Sequence, residues 1–244
     1  MFAFSVTGRA ITASFRVPET HTFHQTLPLP PRPTIIGMMG AALGLDLKSA
    51  HRFADEHEIA VSVCGDHQGT MRDLWNYRKV TIKDYDPEKI RKRLHYSILI
   101  REYLYDCSFT FFFGSPSREA LEEVRNALRS PVYALTAGNS DDLIKITAVS
   151  GVVEAETAAL TEFEHTILPG DVSTRCTPTI DFTTLPITTT IVSPQVFLLP
   201  TRFAFEGDRR VVLERQPFTF VRSPVRLSEP MDGYIIDNHR VIFQ

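Results

Sequence analysis

The sequence predicts an α+β fold, with a ferredoxin-like domain over residues 1–150 and a small, irregular β-rich region over residues 151–244. Three observations lead to this prediction. Apolar residues alternate along the N-terminal segment, a helical pattern follows a proline-rich stretch, and a strand–helix–strand series occupies residues 98–149. The predicted order of elements is β-α-(insert)-β-α-β, in which the insert is a polar segment over residues 66–100.

The N-terminal segment has the two-residue period of a strand. Phe2, Phe4 and Val6 alternate with smaller residues, and the alternation resumes over residues 11–17. The glycine at position 8 interrupts the pattern and predicts a bulge or tight turn.

Residues 25–44, QTLPLPPRPTIIGMMGAALG, change from an extended to a helical pattern. The prolines hold the approach extended, and the spacing predicts a helix over residues 34–45 and a second over residues 48–57. Gly37, Gly40 and Gly44 fall on one helical face, which leaves nearly bare backbone there. Because each glycine lowers helix stability by roughly 1 kcal/mol relative to alanine, this face predicts a close neighbour. That neighbour is either a packed element or a phosphate at the helix N-terminus.

The insert over residues 66–100 follows a short predicted strand at residues 59–64. It is predicted to form a long hairpin or loop outside the core. It has weak strand signals at residues 75–82, a turn at residues 84–87 and a basic run at residues 89–93. Residues 67–103 hold nine basic and five acidic side chains, although the whole chain has a formal net charge of −3. A basic segment in an acidic protein is the footprint of a polyanion contact; the alternative is a solvated charged hairpin.

The remaining elements follow from aromatic, β-branched and proline signals. Strands are predicted over residues 98–105 and 108–113, and a helix begins at Ser115 and Pro116 and ends before Pro131. Two further strands, over residues 132–135 and 143–149, flank a turn at residues 138–140. In the C-terminal region, strands are predicted over residues 187–192, 210–213, 218–221 and 234–236.

Composition limits the class of protein. With 43% hydrophobic and 10% aromatic residues in 244, the chain can bury a substantial core, which excludes wholesale disorder. Three cysteines without close spacing form no disulfide framework and favour a reducing compartment. We find no signal-peptide pattern and no apolar run near 18 residues, so we expect a cytoplasmic protein with no membrane contact.

The sequence contains no phosphate-binding P-loop, dinucleotide fingerprint, nucleophile elbow or HExxH motif, and we predict no cofactor. One group of potential metal ligands exists, His51, His57, Cys64 and His67, but its spacing matches no standard zinc pattern. No metal is predicted.

The insert interleaves basic and aromatic side chains in two clusters, over residues 72–79 and residues 89–96. Single-stranded RNA is bound by lysine and arginine on its phosphates and by aromatic rings or guanidinium planes on its bases. Trp75 is the only tryptophan in the chain and lies in a polar stretch. This pattern favours a nucleic-acid contact; packing against the core is the alternative.

Three segments, in this order, resemble the CRISPR-associated Cas-five family: PLPPRPTIIGMMGAALGL, IREYLYDCSFTFFF and SPVYALTAGNSDDLIKI. The resemblance spans residues 1–150 and is closest to the smaller members of I-B-like systems. It implies a ferredoxin-like (RRM-like) domain of the repeat-associated RNA-binding superfamily, with a protruding β-hairpin thumb at residues 66–100. Members with this pattern lie at the crRNA 5′-handle end of type I Cascade effector complexes.

The resemblance therefore implies an RNA-binding subunit that holds the crRNA 5′ handle and caps the backbone filament in antiviral defence. The implied partners are the handle, the Cascade backbone and large subunits, and target DNA in the assembled complex. The candidate RNA-binding residues are Arg16, His24, Arg32, Thr34, Gly37, Arg72, Trp75, Tyr77, Arg78, Lys79 and Arg101.

One departure from the family bears on catalysis. In the I-C-like branch, this subunit cleaves precursor RNA with a tyrosine and an adjacent lysine and histidine, and this sequence has no adjacent Lys–His pair. We therefore expect a non-catalytic subunit. Two readings stay open beside it. One is a metal-independent endoribonuclease that uses residues such as Tyr77, Lys79 and His95, and the other is a metabolic α+β enzyme whose basic segment is a solvated hairpin.

Overall fold

A computed structural model describes residues 1–20, 23–79, 95–180, 191–207 and 209–244, with the side chains of residues 77–79, 95–97 and 209 excepted. Across these ranges the chain is a mixed α/β structure with mostly antiparallel sheets, which confirms the predicted mixed class.

The helices and strands in the described residues have the following bounds. The helices are α1 (Arg32–Leu43), α2 (Leu47–Glu56) and α3 (Arg118–Arg129), with a short 3-10 helix at Ser173–Arg175. The strands in the first 150 residues are β1 (Phe2–Ala13), β2 (Phe15–Arg16), β3 (Phe23–His24), β4 (Thr26–Leu27), β5 (Ala60–Lys79), β6 (His95–Ser115) and β7 (Ile144–Val149). The later strands are β8 (Val153–Glu154), β9 (Glu156–Phe163), β10 (Thr166–Pro169), β11 (Cys176–Pro178), β12 (Gln195–Glu206), β13 (Arg209–Val221), β14 (Val225–Ile236) and β15 (His239–Val241).

The larger sheet has the strand order β12-β13-β10-β5-β6-β1-β7, with β3 paired parallel to β6 and β8 paired to β1. Helices α1 and α2 lie between β1 and β5 in sequence, and α3 lies between β6 and β7. A smaller sheet has the order β11-β14-β15, and β9 pairs with β14. Because β10, β12 and β13 extend the larger sheet, the C-terminal strands share it with the first half. The predicted boundary near residue 150 stays a prediction.

The two-residue period of β6 divides the core between the faces of the larger sheet. Phe111 and Phe113 belong to the cluster that packs against the helices, where Phe113 stacks on Phe4 with ring centroids 5.3 Å apart. Phe112, between them, faces the smaller sheet and packs with Ile236 and Val241. Both faces are therefore covered at this end of the sheet.

Strands β5 and β6 form one long antiparallel ladder. Strand β5 continues without interruption past residue 66, where the insert was predicted to begin. The pairs run from Ala60 opposite Gly114 to Lys79 opposite His95. Residues 71–76 are all exposed, so this part of the ladder has left the core. The predicted turn at residues 84–87 and the basic run at residues 89–93 lie outside the described residues.

Helix α3 begins two residues later than predicted. Its N-cap is Ser117, whose side chain accepts a hydrogen bond from the Ala120 amide at 3.2 Å. Ser115, the predicted cap, instead ends β6, and its hydroxyl donates to the His57 carbonyl at 2.6 Å. Either serine could serve as the cap. Because the Ser115 hydroxyl donates to His57, Ser117 takes that role.

The predicted strand over residues 132–135 is wrong. The amides of Val132 and Tyr133 donate to the carbonyls of Ala42 and Ala41, at 3.0 and 3.3 Å. These bonds are made to carbonyls in the last turn of α1, where a helix leaves acceptors unpaired, and the Ala41 carbonyl also accepts from the Gly44 amide at 3.3 Å. The segment therefore packs against the end of α1, and residues 132–135 form no strand.

The later predicted strands mostly fall within longer ones. Residues 210–213 and 218–221 both belong to β13, and residues 234–236 belong to β14. Most of the predicted strand at residues 187–192 lies outside the described residues.

The three glycines of the α1 segment have different surroundings. A Cβ at Gly40 would lie 2.4 Å from the Cβ of Ala50, so this glycine lets α1 and α2 approach closely. Gly44 ends the helix in the left-handed conformation, at φ 75°. A Cβ at Gly37 would meet no atom within 4 Å. The close neighbour predicted from the sequence is therefore α2 at Gly40, while Gly37 faces open space.

We expect Gly37→Ala to raise the free energy of unfolding by about 0.5–1 kcal/mol, because alanine fits there and costs less helix entropy. The matched change Gly40→Ala should lower it by about 1–3 kcal/mol, because the added methyl overlaps Ala50. Urea denaturation of both variants measures the difference. Equal effects of the two changes would contradict this assignment of the glycines.

Candidate nucleic-acid interface

Five of the predicted RNA-binding residues line one cavity of about 320 Å³ at the base of the exposed β5–β6 ladder. We call it the Arg101 cavity. Short strands β2 to β4, the start of α1 and the turn at residues 138–139 form its other walls. The predicted residues in it are Arg16, His24, Thr34, Trp75 and Arg101.

Arg101 is the centre of this cavity and is only 5% exposed. Its guanidinium lies over the rings of Tyr103 and Trp75, at 4.1 and 4.7 Å from their centroids. All three side chains lie on one face of the ladder, because Met71 is paired with Tyr103, Asp73 with Arg101 and Trp75 with Leu99. Trp75 keeps 37% of its surface exposed. The stack therefore presents an aromatic surface to the cavity.

Asn139 holds the edge of the guanidinium. With its amide oxygen turned towards Arg101, it accepts hydrogen bonds from the two Nη atoms at 2.6 and 3.3 Å. Among the described residues, the buried Nε of Arg101 has no hydrogen-bond partner. A buried donor without a partner costs free energy, so the ring contacts and the two bonds to Asn139 must offset this cost.

A clamped turn positions Asn139. The carboxylate of Asp142, 1% exposed, accepts hydrogen bonds from the hydroxyls of Thr12 and Ser14, both at 2.7 Å. The backbone closes the same turn, since the Ala137 amide donates to the Asp142 carbonyl at 2.6 Å. Gly138 has φ 104°, and a Cβ there would lie 1.9 Å from the Ser14 carbonyl oxygen. The turn thus accepts only glycine at this position.

Arg16 and His24 lie on the opposite wall. Arg16 is exposed and donates from Nε and Nη2 to the Thr20 carbonyl at 3.2 and 2.8 Å. This contact orients the guanidinium, and no carboxylate of a described residue pairs with its charge. His24 is placed by the pairing of β3 with β6, in which it lies opposite Arg101.

Arg72 does not line the Arg101 cavity. It is on the other face of the ladder, where its Nε donates to Glu102 Oε1 at 3.3 Å and its guanidinium lies 5.3 Å from the Phe23 ring. Glu102 is a mostly buried carboxylate that also accepts a bond from the Thr26 amide at 3.4 Å. Arg72 therefore offsets the charge of Glu102, the one acidic residue among the described residues that line the cavity.

Gly37 lines a second cavity of about 290 Å³. This cavity shares Arg16, Thr34 and Gly138 with the Arg101 cavity. The start of α1 offers few free amides, because the Thr34 amide already donates to the Pro31 carbonyl at 2.9 Å and proline has no N–H. Few amides are therefore available for the predicted anion contact at the helix N-terminus, and that contact stays a prediction. The α1 backbone at Gly37 still borders open space, since a Cβ there would meet no atom within 4 Å.

Arg32 lies elsewhere. It lines a third cavity together with His51 and Asp55 rather than either of the first two. Burial lowers its pKa, and the nearby Asp55 carboxylate raises it. The structure thus separates Arg32 from the other predicted residues.

Tyr77, Arg78 and Lys79 are in β5, opposite Ser97, Tyr96 and His95. Their side chains lie outside the described residues. Their role in RNA binding stays a prediction.

Sequence reasoning missed four residues that line the cavities or complete the Arg101 stack. Asn139 was seen only as part of a turn, and Tyr103 only as part of a family-like segment. Phe203 and Arg210 line the second cavity. Residues 202–210 interleave arginine and phenylalanine much as residues 72–79 interleave basic and aromatic side chains, so the same signal could have found them.

The described residues contain no group of three His, Cys, Asp or Glu side chains placed to hold a metal ion. Cys64, Cys107 and Cys176 are all free thiols, and burial raises the pKa of Cys64 to about 11 and that of Cys107 to about 12. In the same ranges, no helix is both long enough and apolar enough to cross a bilayer.

Comparison with known families decides the identity of the chain. The family described as "CRISPR-associated protein (Cas_Cas5)" matches residues 6–190. This chain belongs to that family. The resemblance seen in the sequence is thus confirmed, and the I-B-like subtype stays a prediction.

Solved structures show that the fold is shared over almost the whole chain. A chain of a "CRISPR RNA-guided surveillance complex" is 17% identical, with 93% of this chain and 91% of that chain covered and a TM-score of 0.53. A CRISPR protein from Archaeoglobus fulgidus is 12% identical, with 100% and 99% covered and a TM-score of 0.51. A comparison with curated proteins found no match. The likeness includes the C-terminal strands as well as the first half.

We expect Gly138→Ala to lower the free energy of unfolding by more than about 2 kcal/mol, because the methyl overlaps the Ser14 carbonyl and φ is unfavourable. Gly151→Ala is the matched control, since a Cβ there meets nothing within 4 Å, and it should change stability by less than about 0.5 kcal/mol. Urea denaturation measures both. A stable Gly138→Ala variant would show that the turn is not clamped as described.

Proposed function

We propose that the chain is a non-catalytic RNA-binding subunit of a type I, I-B-like Cascade effector in CRISPR defence, and that the Arg101 cavity binds the crRNA 5′ handle. One observation carries the proposal. A guanidinium stacks against two aromatic rings, is bonded at its edge by Asn139, and opens towards Arg16 and His24. Membership of the Cas5 family supports the CRISPR context.

The chemistry of the cavity suits an unpaired nucleotide. Proteins bind single-stranded RNA by stacking bases on aromatic or guanidinium planes and by hydrogen bonds to the base edges. Trp75 supplies the exposed stacking surface, with the Arg101 guanidinium on its ring, and Arg16 supplies a cation for a phosphate. The volume of about 320 Å³ is at the lower end of the range for ligand pockets, about 300–1,000 Å³.

The topology supports a ferredoxin-like domain for residues 1–150. The strands β5-β6-β1-β7 are neighbours in that order, with α1 and α2 before β5 and α3 after β6, which is the β-α-β-β-α-β connection. Within the proposal, the exposed β5–β6 ladder is the thumb at residues 66–100. Residues 151–244 are the β-rich C-terminal region.

The face of the ladder that carries Arg72 supports a protein partner. Leu74 and Ile100 lie opposite each other there, at 64% and 43% exposed, and Ile98 beside them is 66% exposed. A cluster of exposed apolar side chains marks an interaction surface. We propose that the Cascade backbone subunit covers it, so that the chain caps the filament, with the large subunit and target DNA as further partners.

We propose that the chain does not cleave RNA. The sequence has no adjacent Lys–His pair, and among the described residues His24 is the only histidine that lines the Arg101 cavity. General acid–base cleavage of RNA needs groups placed at both the attacking hydroxyl and the leaving oxygen. A separate endonuclease would then generate the handle.

Binding of end-labelled repeat RNA to the purified chain tests the proposal. We expect retention of full-length RNA, and Arg16→Gln should weaken binding and reduce the slope of log affinity against log salt by about 1, because one phosphate contact is lost. The matched control is Arg240→Gln, an exposed arginine on β15 in the smaller sheet that pairs with Glu162. It should bind as the unsubstituted chain does.

Three outcomes would contradict the proposal in different ways. Cleavage of the labelled RNA would favour the endoribonuclease. Absence of binding would remove the RNA-binding function. Equal losses in Arg16→Gln and Arg240→Gln would show a diffuse charge effect instead of a site at the Arg101 cavity.

A further inference from the structure

The β12–β13 hairpin lies against α1 and walls the second cavity, of about 290 Å³. Phe203 and Arg210 come from the hairpin, Thr34 and Gly37 come from α1, and Arg16 comes from β2. No aspartate or glutamate is among the described residues that line it. A cavity with two guanidiniums and no carboxylate has a net positive charge.

Arg210 has no acidic partner among the residues that the structure describes. Its guanidinium lies 4.5 Å from the centroid of the Phe203 ring, and it makes no ion pair with any described residue. Partial burial lowers its pKa. Other arginines of this hairpin are paired, since Arg202 contacts Glu214 at 4.0 Å and Arg215 contacts Glu19 at 2.9 Å. Among the hairpin arginines whose side chains the structure describes, Arg210 is therefore the one that an added anion can reach.

Phe203 packs against α2. Its ring contacts that of His51 on α2, with centroids 5.2 Å apart, and burial of His51 together with the charges of Arg32 and Arg210 lowers the pKa of that histidine. The imidazole packs against the phenyl ring from the third cavity. Since Phe203 is half-buried, part of its surface still lines the second cavity.

The opposite wall leaves room for a flat group. A Cβ at Gly37 would meet no atom within 4 Å, so the α1 backbone is open to the cavity there. Met38, Leu199 and Pro200 provide apolar walls nearby. A positive rim beside an aromatic and apolar interior suits a nucleotide, which combines a flat base with a phosphate.

We propose that this second cavity is a nucleotide site in which the stacked pair of Phe203 and Arg210 supports a base, while the guanidinium edges of Arg210 and Arg16 bind the adjoining phosphate. The two cavities share Arg16, Thr34 and Gly138. The RNA strand that leaves the Arg101 cavity therefore continues between α1 and the β12–β13 hairpin. This inference rests on the proposed function and extends it to a part of the chain that the thumb does not include.

The experiment measures binding of repeat RNA to Phe203→Leu and Arg210→Gln, with Arg202→Gln as the matched control on the same hairpin. We expect a loss of about 5- to 150-fold for Phe203→Leu, the range for removing one stacking aromatic. Arg210→Gln should lower the salt slope by about 1, and Arg202→Gln should change neither quantity. Thermal melts show whether Phe203→Leu, which keeps an apolar side chain against His51, is still folded.

A second readout does not depend on stability. Repeat RNA carrying 4-thiouridine is cross-linked to the unsubstituted chain, and the peptides are mapped by mass spectrometry. We expect a nucleotide on a peptide that contains Phe203. If RNA binds and Arg16→Gln weakens it, but the hairpin variants match Arg202→Gln and no cross-link reaches the hairpin, the second site is wrong and the proposed function stands. Absence of RNA binding by the unsubstituted chain overturns both. Loss of partner-protein binding by the hairpin variants, with RNA affinity unchanged, would assign the cavity to a protein segment instead.

Discussion

The register of β5 against β6 is the constraint on which the candidate interface depends. In the core, Val61 and Val63 lie opposite Phe113 and Phe111, where large side chains allow one alignment. The same register continues without a shift into the exposed ladder and puts Arg101 and Trp75 on one face. A slip of one residue would move every side chain of a strand to the other face. Burial in the core therefore sets the positions of exposed groups far from it.

Other parts of the chain complete the cavities against this fixed ladder. The turn that carries Asn139 is held by Asp142 between β1 and β7, and the β12–β13 hairpin is held against α2 by the contact of Phe203 with His51. Each is a local feature with its own anchors. The first cavity thus belongs to the first half of the chain, and the second joins both halves.

The sequence predicts the positions of helices and strands better than it predicts which side chains meet. Basic and aromatic residues interleaved over residues 72–79 pointed to Trp75, and the family resemblance pointed to Arg101. The meeting of Arg101 with Asn139 depends on a turn far along the chain, which spacing alone does not reveal. Arg72 and Arg32 carry the same charge as Arg16, but Arg72 pairs with Glu102 and Arg32 faces another cavity. Phe203 and Arg210 lie outside the resemblance over residues 1–150, so only their basic and aromatic pattern, like that of residues 72–79, could have indicated them.

The most direct test of the Arg101 cavity as an RNA site is the fluorescence of the protein, because Trp75 is its only tryptophan. With 37% of its surface exposed, Trp75 should be accessible to acrylamide in the free chain. Stacking of a base on the indole predicts quenched emission during titration with repeat RNA, together with reduced acrylamide access, at the same midpoint as binding measured by anisotropy. Saturating RNA that leaves both the emission and the acrylamide access unchanged would contradict the account.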